Sequence, residues 1–174
     1  FYKKYCIQLS EHVFYEDHEY ATHPCCYAKS ITPLDIFIYN YRIGDVAQSV
    51  SDENQLKRIS HTKTVIERLV SEYKNLRLPQ KCKGRTYYAM KTQGILLSYL
   101  STVLLVEKDK KQGRVQAKLM VEFIIENMPQ AFKLAKKQYN TFMLMNYLHF
   151  GKKTFSKMLE SKLYNKIKGK RDFK

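Results

Sequence analysis

Glycine and proline are scarce in this 174-residue sequence, at six and four residues. That is too few for a collagen-like chain or a long flexible linker. Long apolar runs are missing as well. The longest uncharged stretch, residues 92–106, falls short of the roughly 18 residues that a membrane-spanning helix needs, so no bilayer crossing is expected. No charged n-region with a small-residue cleavage site opens the sequence, and secretion is not indicated. The first residue is Phe1 rather than Met, which predicts a piece of a longer protein. Four cysteines, Cys6, Cys25, Cys26 and Cys82, show no C-x-x-C spacing, and an adjacent pair is awkward for a disulfide. Reduced thiols in a cytoplasmic protein are expected. Acids are few, 16 against 31 Lys and Arg, for a formal charge of +15. What is plentiful is apolar matter, 44% hydrophobic and 13% aromatic residues, enough to bury a core in one ordinary domain or two small ones.

The positive charge is unevenly spread. Residues 1–51 hold four basic and six acidic side chains, whereas residues 52–174 hold 27 and 10, a net of +17. Ser51, Asp52 and Glu53 mark the boundary as a helix start, with a capping side chain and acids for the first turn. Beyond it, Leu56, Ile59, Val65, Ile66, Leu69, Val70 and Tyr73 recur at three- and four-residue spacing and predict a helix over 53–75. A second, apolar on all sides and therefore central, is expected over 83–107. Residues 108–113 read as a charged turn ending in glycine, 115–127 as a third helix, and Pro129 as the first turn of a fourth. Gly151 precedes a last, very basic helix. No internal repeat of fixed period emerges.

Residues 31–42 differ. Ile36, Ile38, Asn40 and Arg42 alternate with Phe37, Tyr39 and Tyr41, the pattern of a strand entering a loop. Upstream, residues 16–28 suit a short helix with Pro24 as a kink or break. It opens with Glu16 and Asp17, preceded by Phe14 and Tyr15. An acidic pair at a rigid helix start is placed to take a proton from a hydroxyl; the same pair equally serves to complement the helix dipole.

Taken together, the aromatic-flanked Glu16-Asp17 pair, the Tyr39-Asn40-Tyr41-Arg42 strand about twenty residues later, and Gly44 through Gln48, Ser49, Val50 and Ser51 resemble the closing part of the catalytic domain of family 2 glycosyltransferases. These are inverting GT-A enzymes of bacterial polysaccharide assembly. The resemblance covers residues 1–52 well and the rest only in general style. It implies that Asp17 is the general base for the acceptor hydroxyl and that Glu16 orients it. Arg42, with Gln48 and Ser49, then lies in a loop that closes near the donor pyrophosphate; the other reading of Arg42 is a surface cation beside a strand end. It also implies a nucleotide-sugar donor, a saccharide or lipid-linked acceptor, and a divalent cation, Mg or Mn, in the intact enzyme. The Asp-x-Asp motif that would hold the cation does not occur in this chain, nor does a Gly-rich phosphate loop. The expected architecture is mainly α: residues 1–51 as a small α/β remnant of a GT-A domain, and residues 52–174 as a basic helical bundle. As the C-terminal portion of such an enzyme, the piece alone is expected to be inactive, and an unpaired strand edge would favour a homodimer.

Other groupings carry less. His12, His18 and His23 crowd near Glu11, Glu19, Cys25 and Cys26, but match no zinc spacing and read as solvated or hydrogen-bonded side chains. His61 and His149 stand alone. Nucleophilic catalysis has no Gly-x-Ser-x-Gly or Cys-His signature to support it, and most of the fourteen Tyr, nine Phe and six Met belong in a core. The last helix joins Lys152, Lys153, Lys157, Lys162, Lys166, Lys168, Lys170, Arg171 and Lys174 to Phe155, Met158, Leu159, Leu163, Tyr164 and Ile167, which predicts peripheral docking on the inner face of an anionic membrane. A nucleic-acid module is the alternative for a helical domain of this charge, although no helix-turn-helix, zinc finger or RNA-recognition motif is visible.

Overall fold

The computed structural model describes residues 2–37, 39–40 and 51–160. Among them are eight α-helices: α1 (Tyr2–Tyr5), α2 (Asp17–Cys26), α3 (Asp52–Lys57), α4 (Ile59–Asn75), α5 (Lys83–Ser101), α6 (Lys110–Asn127), α7 (Pro129–Tyr147) and α8 (Lys152–Glu160). A π-helical turn, Thr102–Val106, continues α5. The protein is a helical bundle, mainly α as its sequence predicts. α5 runs through its centre, with α2, α4 and α7 packed around it and α6 on α7. Leu96, Leu100, Val103 and Leu104 are fully buried along it, and Ala131 and Ala135 of α7 and Ala117 of α6 let the neighbouring backbones come close. By length and composition alone, Lys83–Val106 is apolar enough to cross a membrane; here its apolar side chains form the core of the bundle.

The helix starts obey local chemistry. The Ser51 hydroxyl accepts from the Asn54 N–H at 3.4 Å, ahead of Asp52 and Glu53 in the first turn. Pro129 occupies the first turn of α7, where its missing N–H leaves no bond unmade. α2 passes through Pro24 and ends two residues later.

Three expectations are corrected. No strand is present among the described residues. Residues 31–37, 39 and 40 have no strand pairing, and Ile31, Leu34, Ile36, Phe37 and Tyr39 are exposed. A single extended segment gains neither ladder hydrogen bonds nor a packed face, so propensity alone does not make it a strand. Second, the helix expected over 53–75 is interrupted at Arg58, whose φ of −105° and ψ of 19° end α3 and open α4. Third, the turn expected over residues 108–113 ends at Asp109. The Asp109 carboxylate accepts from the Lys111 and Gln112 N–H groups, both at 3.0 Å, and this cap starts α6 at Lys110 with Gly113 inside the helix.

The π turn leaves carbonyls that side chains take up. The buried Asn146 amide donates to the Leu104 carbonyl at 2.7 Å and accepts from Arg114 Nη1 at 2.6 Å. Lys110 Nζ donates to the Leu105 and Glu107 carbonyls at 3.3 and 2.8 Å, and burial lowers its pKa. α2, from the first 51 residues, shares the core of the helical part. Cys26 and Tyr27 pack in one cluster with Tyr73, Tyr88 and Leu76, the Tyr87 hydroxyl donates to the Ala21 carbonyl at 2.7 Å, and the Arg77 N–H donates to the Tyr27 hydroxyl at 3.2 Å.

Candidate functional site

The acidic pair lies where the chain turns into α2. Two residues ahead of the helix, Tyr15 adopts a left-handed backbone, φ 74°, unusual for a bulky residue. Glu16 flanks the helix with no side-chain cap bond, and Asp17 is its first residue. Both side chains are exposed, and no ion pair or hydrogen bond among the described residues engages either carboxylate.

The ground beneath the pair is rigid. The Arg58 guanidinium lies over the Phe14 ring, 3.7 Å from its centroid, and the His61 ring meets the same phenyl edge-on at 5.5 Å. The Phe14 N–H donates to His61 Nδ1 at 3.3 Å. The break at Arg58 thus sets a cation and an imidazole around the aromatic residue three positions before Asp17. Two residues after Asp17, the buried Glu19 carboxylate accepts from the Ser10 N–H at 2.8 Å and the Ser10 hydroxyl at 2.7 Å, which ties the incoming chain to the helix.

Electrostatics around Asp17 are mixed. Burial pushes the Tyr15 phenol up, opposed by Arg58 and reinforced by Asp17. Burial lowers the His18 imidazole, with Asp17 opposing and Lys91 of α5 adding to the shift. Tyr15 and His18 thus feel the Asp17 carboxylate, and Arg58 and Lys91 act on those same two groups.

Comparison with family models, with curated proteins and with solved structures finds no match to this chain. Any assignment therefore depends on the residues themselves.

Of the sequence-predicted site residues, Glu16 and Asp17 stand together at the head of α2, and Arg42, Gln48 and Ser49 lie outside the described residues. No group of three or more His, Cys, Asp or Glu among the described residues comes together to hold a metal, so the divalent cation that the resemblance implies finds no ligand set there. The approach of Arg58 and His61 to Phe14, and of Lys91 to His18, was not legible in the sequence. His61 meets Phe14 across 47 positions, and a lone histidine in an amphipathic stripe carries no sign of that.

His23 points the other way, into the core. It is buried between Tyr27 and Tyr88, with Glu72 Oε2 3.7 Å from Nδ1, while Arg68 holds the other Glu72 oxygen at 2.9 Å. Desolvation outweighs Glu72 and Glu19 and lowers the imidazole pKa from 6.5. A histidine whose folded pKa lies below its unfolded value supports folding when neutral and costs stability when protonated. Lowering the pH below about 6.5 is therefore expected to reduce the thermal midpoint, with His18 shifting in the same direction. His23→Gln should flatten that dependence, as read by melting curves between about pH 7.5 and 5.5; an unchanged slope would remove His23 as its source. Burial also pushes the neighbouring Cys26 thiol up to about 12, which keeps it protonated and a poor nucleophile.

A groove of about 360 Å³ opens between α4, α5 and α6, lined by Ile59, Lys63, Glu67, Tyr99, Leu119 and Phe123 among others. None of its lining residues belongs to α2, so it is separate from the acidic pair.

Proposed function

We propose that this chain carries the acceptor-side base of an inverting glycosyltransferase that uses a nucleotide-sugar donor and belongs to polysaccharide assembly. The observation that supports this reading is the Asp17 carboxylate, exposed and unpartnered among the described residues yet fixed on the first turn of a helix that Glu19 and Tyr87 lock in place. In the reaction, an acceptor hydroxyl on a saccharide or lipid-linked sugar attacks the anomeric carbon of the donor. The bond from that carbon to the diphosphate oxygen breaks, the nucleoside diphosphate leaves as an anion, and the hydroxyl proton passes to Asp17. Glu16, beside it, orients the acceptor. Arg42 with Gln48 and Ser49 stabilises the departing pyrophosphate. On this reading residues 1–51 are the end of a GT-A domain, whose nucleotide-binding half and cation-holding motif precede them in the intact enzyme.

The test uses the enzyme with its upstream nucleotide-binding half. Asp17→Asn keeps size and hydrogen-bonding capacity but cannot accept the proton. It is expected to lower kcat by roughly 10²- to 10⁴-fold, while donor affinity, measured by titration, stays within about twofold. Near-normal turnover would remove Asp17 from the role.

A further inference from the structure

Where α7 turns into α8, the molecule exposes large apolar side chains in one place. Leu144, Tyr147, Leu148 and Phe150 are 60%, 61%, 54% and 45% exposed, and Met158 of α8 is 39% exposed. Leu144, Tyr147 and Leu148 follow the three- and four-residue spacing that puts them on one face of α7. Single exposed apolar residues need no explanation, whereas a contiguous group asks for a partner.

The turn that presents them is well braced. The Leu148, His149 and Phe150 N–H groups donate to the carbonyls of Leu144, Asn146 and Met145 at 3.0, 3.0 and 2.8 Å. His149 takes a left-handed backbone, φ 57°. Behind the turn, Phe155 of α8 meets Phe142 of α7 edge-on at 5.2 Å, and Lys152 Nζ reaches Asp52 Oδ1 at 2.6 Å. Leu148 and Phe150 are thus held outward at little further cost in entropy.

Charge selects the partner. Residues 127–159 contain six lysines and no acid; Lys152 is paired with Asp52, which leaves Lys133, Lys136, Lys137, Lys153 and Lys157 for a partner. A second copy of this face would bring like charges together. A nucleic acid would satisfy the lysines but offers no apolar phase for Leu148 and Phe150. An anionic lipid surface answers both, with headgroups for the lysines and the acyl boundary for the apolar side chains.

We propose that the α7–α8 turn is a docking edge for an anionic membrane, with Leu148 and Phe150 as the inserted side chains and the flanking lysines as the electrostatic contact. The proposal is independent of the glycosyl-transfer reading and places the insertion at the turn, ahead of the basic helix that the sequence points to.

The experiment is sedimentation of the 174-residue chain with vesicles of phosphatidylglycerol and phosphatidylcholine, set against phosphatidylcholine alone. Binding to the first and not the second is expected. The double variant Leu148→Ser, Phe150→Ser should bind the anionic vesicles about tenfold more weakly or worse. Both positions are exposed, so its circular dichroism should be unchanged. Because the chain has no tryptophan, Phe150→Trp supplies a sole reporter, whose emission should shift to the blue when anionic vesicles are added. Equal binding to neutral vesicles, undiminished binding of the double variant, or an unshifted emission would each overturn the proposal. Tighter binding to a single-stranded oligonucleotide, insensitive to the double substitution, would also overturn it and assign the face to nucleic acid.

Discussion

Arg85→Met is expected to destabilise the folded chain by about 3–5 kcal/mol, more than the loss of one surface ion pair or one core methylene. Arg85 is only 6% exposed and no carboxylate is paired with it among the described residues. Its countercharge is the end of α4. Nη1, Nη2 and Nε donate to the carbonyls of Tyr73, Leu76 and Leu78 at 3.1, 3.0 and 3.2 Å, and the guanidinium carbon sits 5.0 Å from the Tyr73 ring centroid. Those carbonyls include ones that a helix C-terminus cannot satisfy internally, where the dipole concentrates negative charge. Methionine fills much of the volume but removes three donors, two of them to buried carbonyls. Lysine retains the charge without the planar fork, so Arg85→Lys should fall between the two. Chemical denaturation of the three proteins checks the order. A methionine variant as stable as the parent would show that the three bonds contribute nothing net.

Two glycines in the helices should respond to alanine with opposite signs. At Gly94 a new Cβ meets nothing within 4 Å, so Gly94→Ala should stabilise the chain by about 0.5–1 kcal/mol through helix propensity and a less flexible unfolded state. At Gly113 the same methyl would overlap the Val103 carbonyl oxygen in the π turn. α6 has little freedom to retreat, because Asp109 caps its start and Lys110 bonds back to the Leu105 and Glu107 carbonyls. Gly113→Ala should therefore cost about 3 kcal/mol, with the propensity gain overwhelmed by backbone overlap. Thermal melts of both variants settle the matter. Stabilisation by both would mean that α6 and the π turn are further apart than described.

The contrast between these glycines bears on how far the sequence could be read. A glycine closing a lysine-rich stretch has the look of a turn. Gly113 instead serves close approach between two backbones, a need that arises only once α6 and the end of α5 are side by side. Arg85 gave no warning either, since its three acceptors belong to the preceding helix end and loop, and a basic residue near a helix start resembles any solvated cation. The stripe of Leu56 through Tyr73 was correct in content, yet the helix breaks at Arg58, which stacks on Phe14, 44 positions earlier.

The acidic pair shows both sides. Its place at the head of a helix was evident from Phe14, Tyr15, Glu16, Asp17 and the residues that follow, because caps, dipoles and proline act within a few positions. The contacts of the residues beside it were not, because Arg58 and His61, which meet Phe14, and Lys91, which acts on His18, come from distant parts of the chain.

Local chemistry was thus sufficient for a mainly helical bundle: three- and four-residue periodicity, Ser51 and Pro129 at helix starts, and a uniformly apolar central helix are instructions that each segment carries within itself. Tertiary contacts decided the rest. Residues 31–37, 39 and 40 formed no strand because pairing needs a partner. Arg58 and His61 reached Phe14, and Asn146 the Leu104 carbonyl, because such contacts join atoms from tens of residues apart, which no short window of sequence contains.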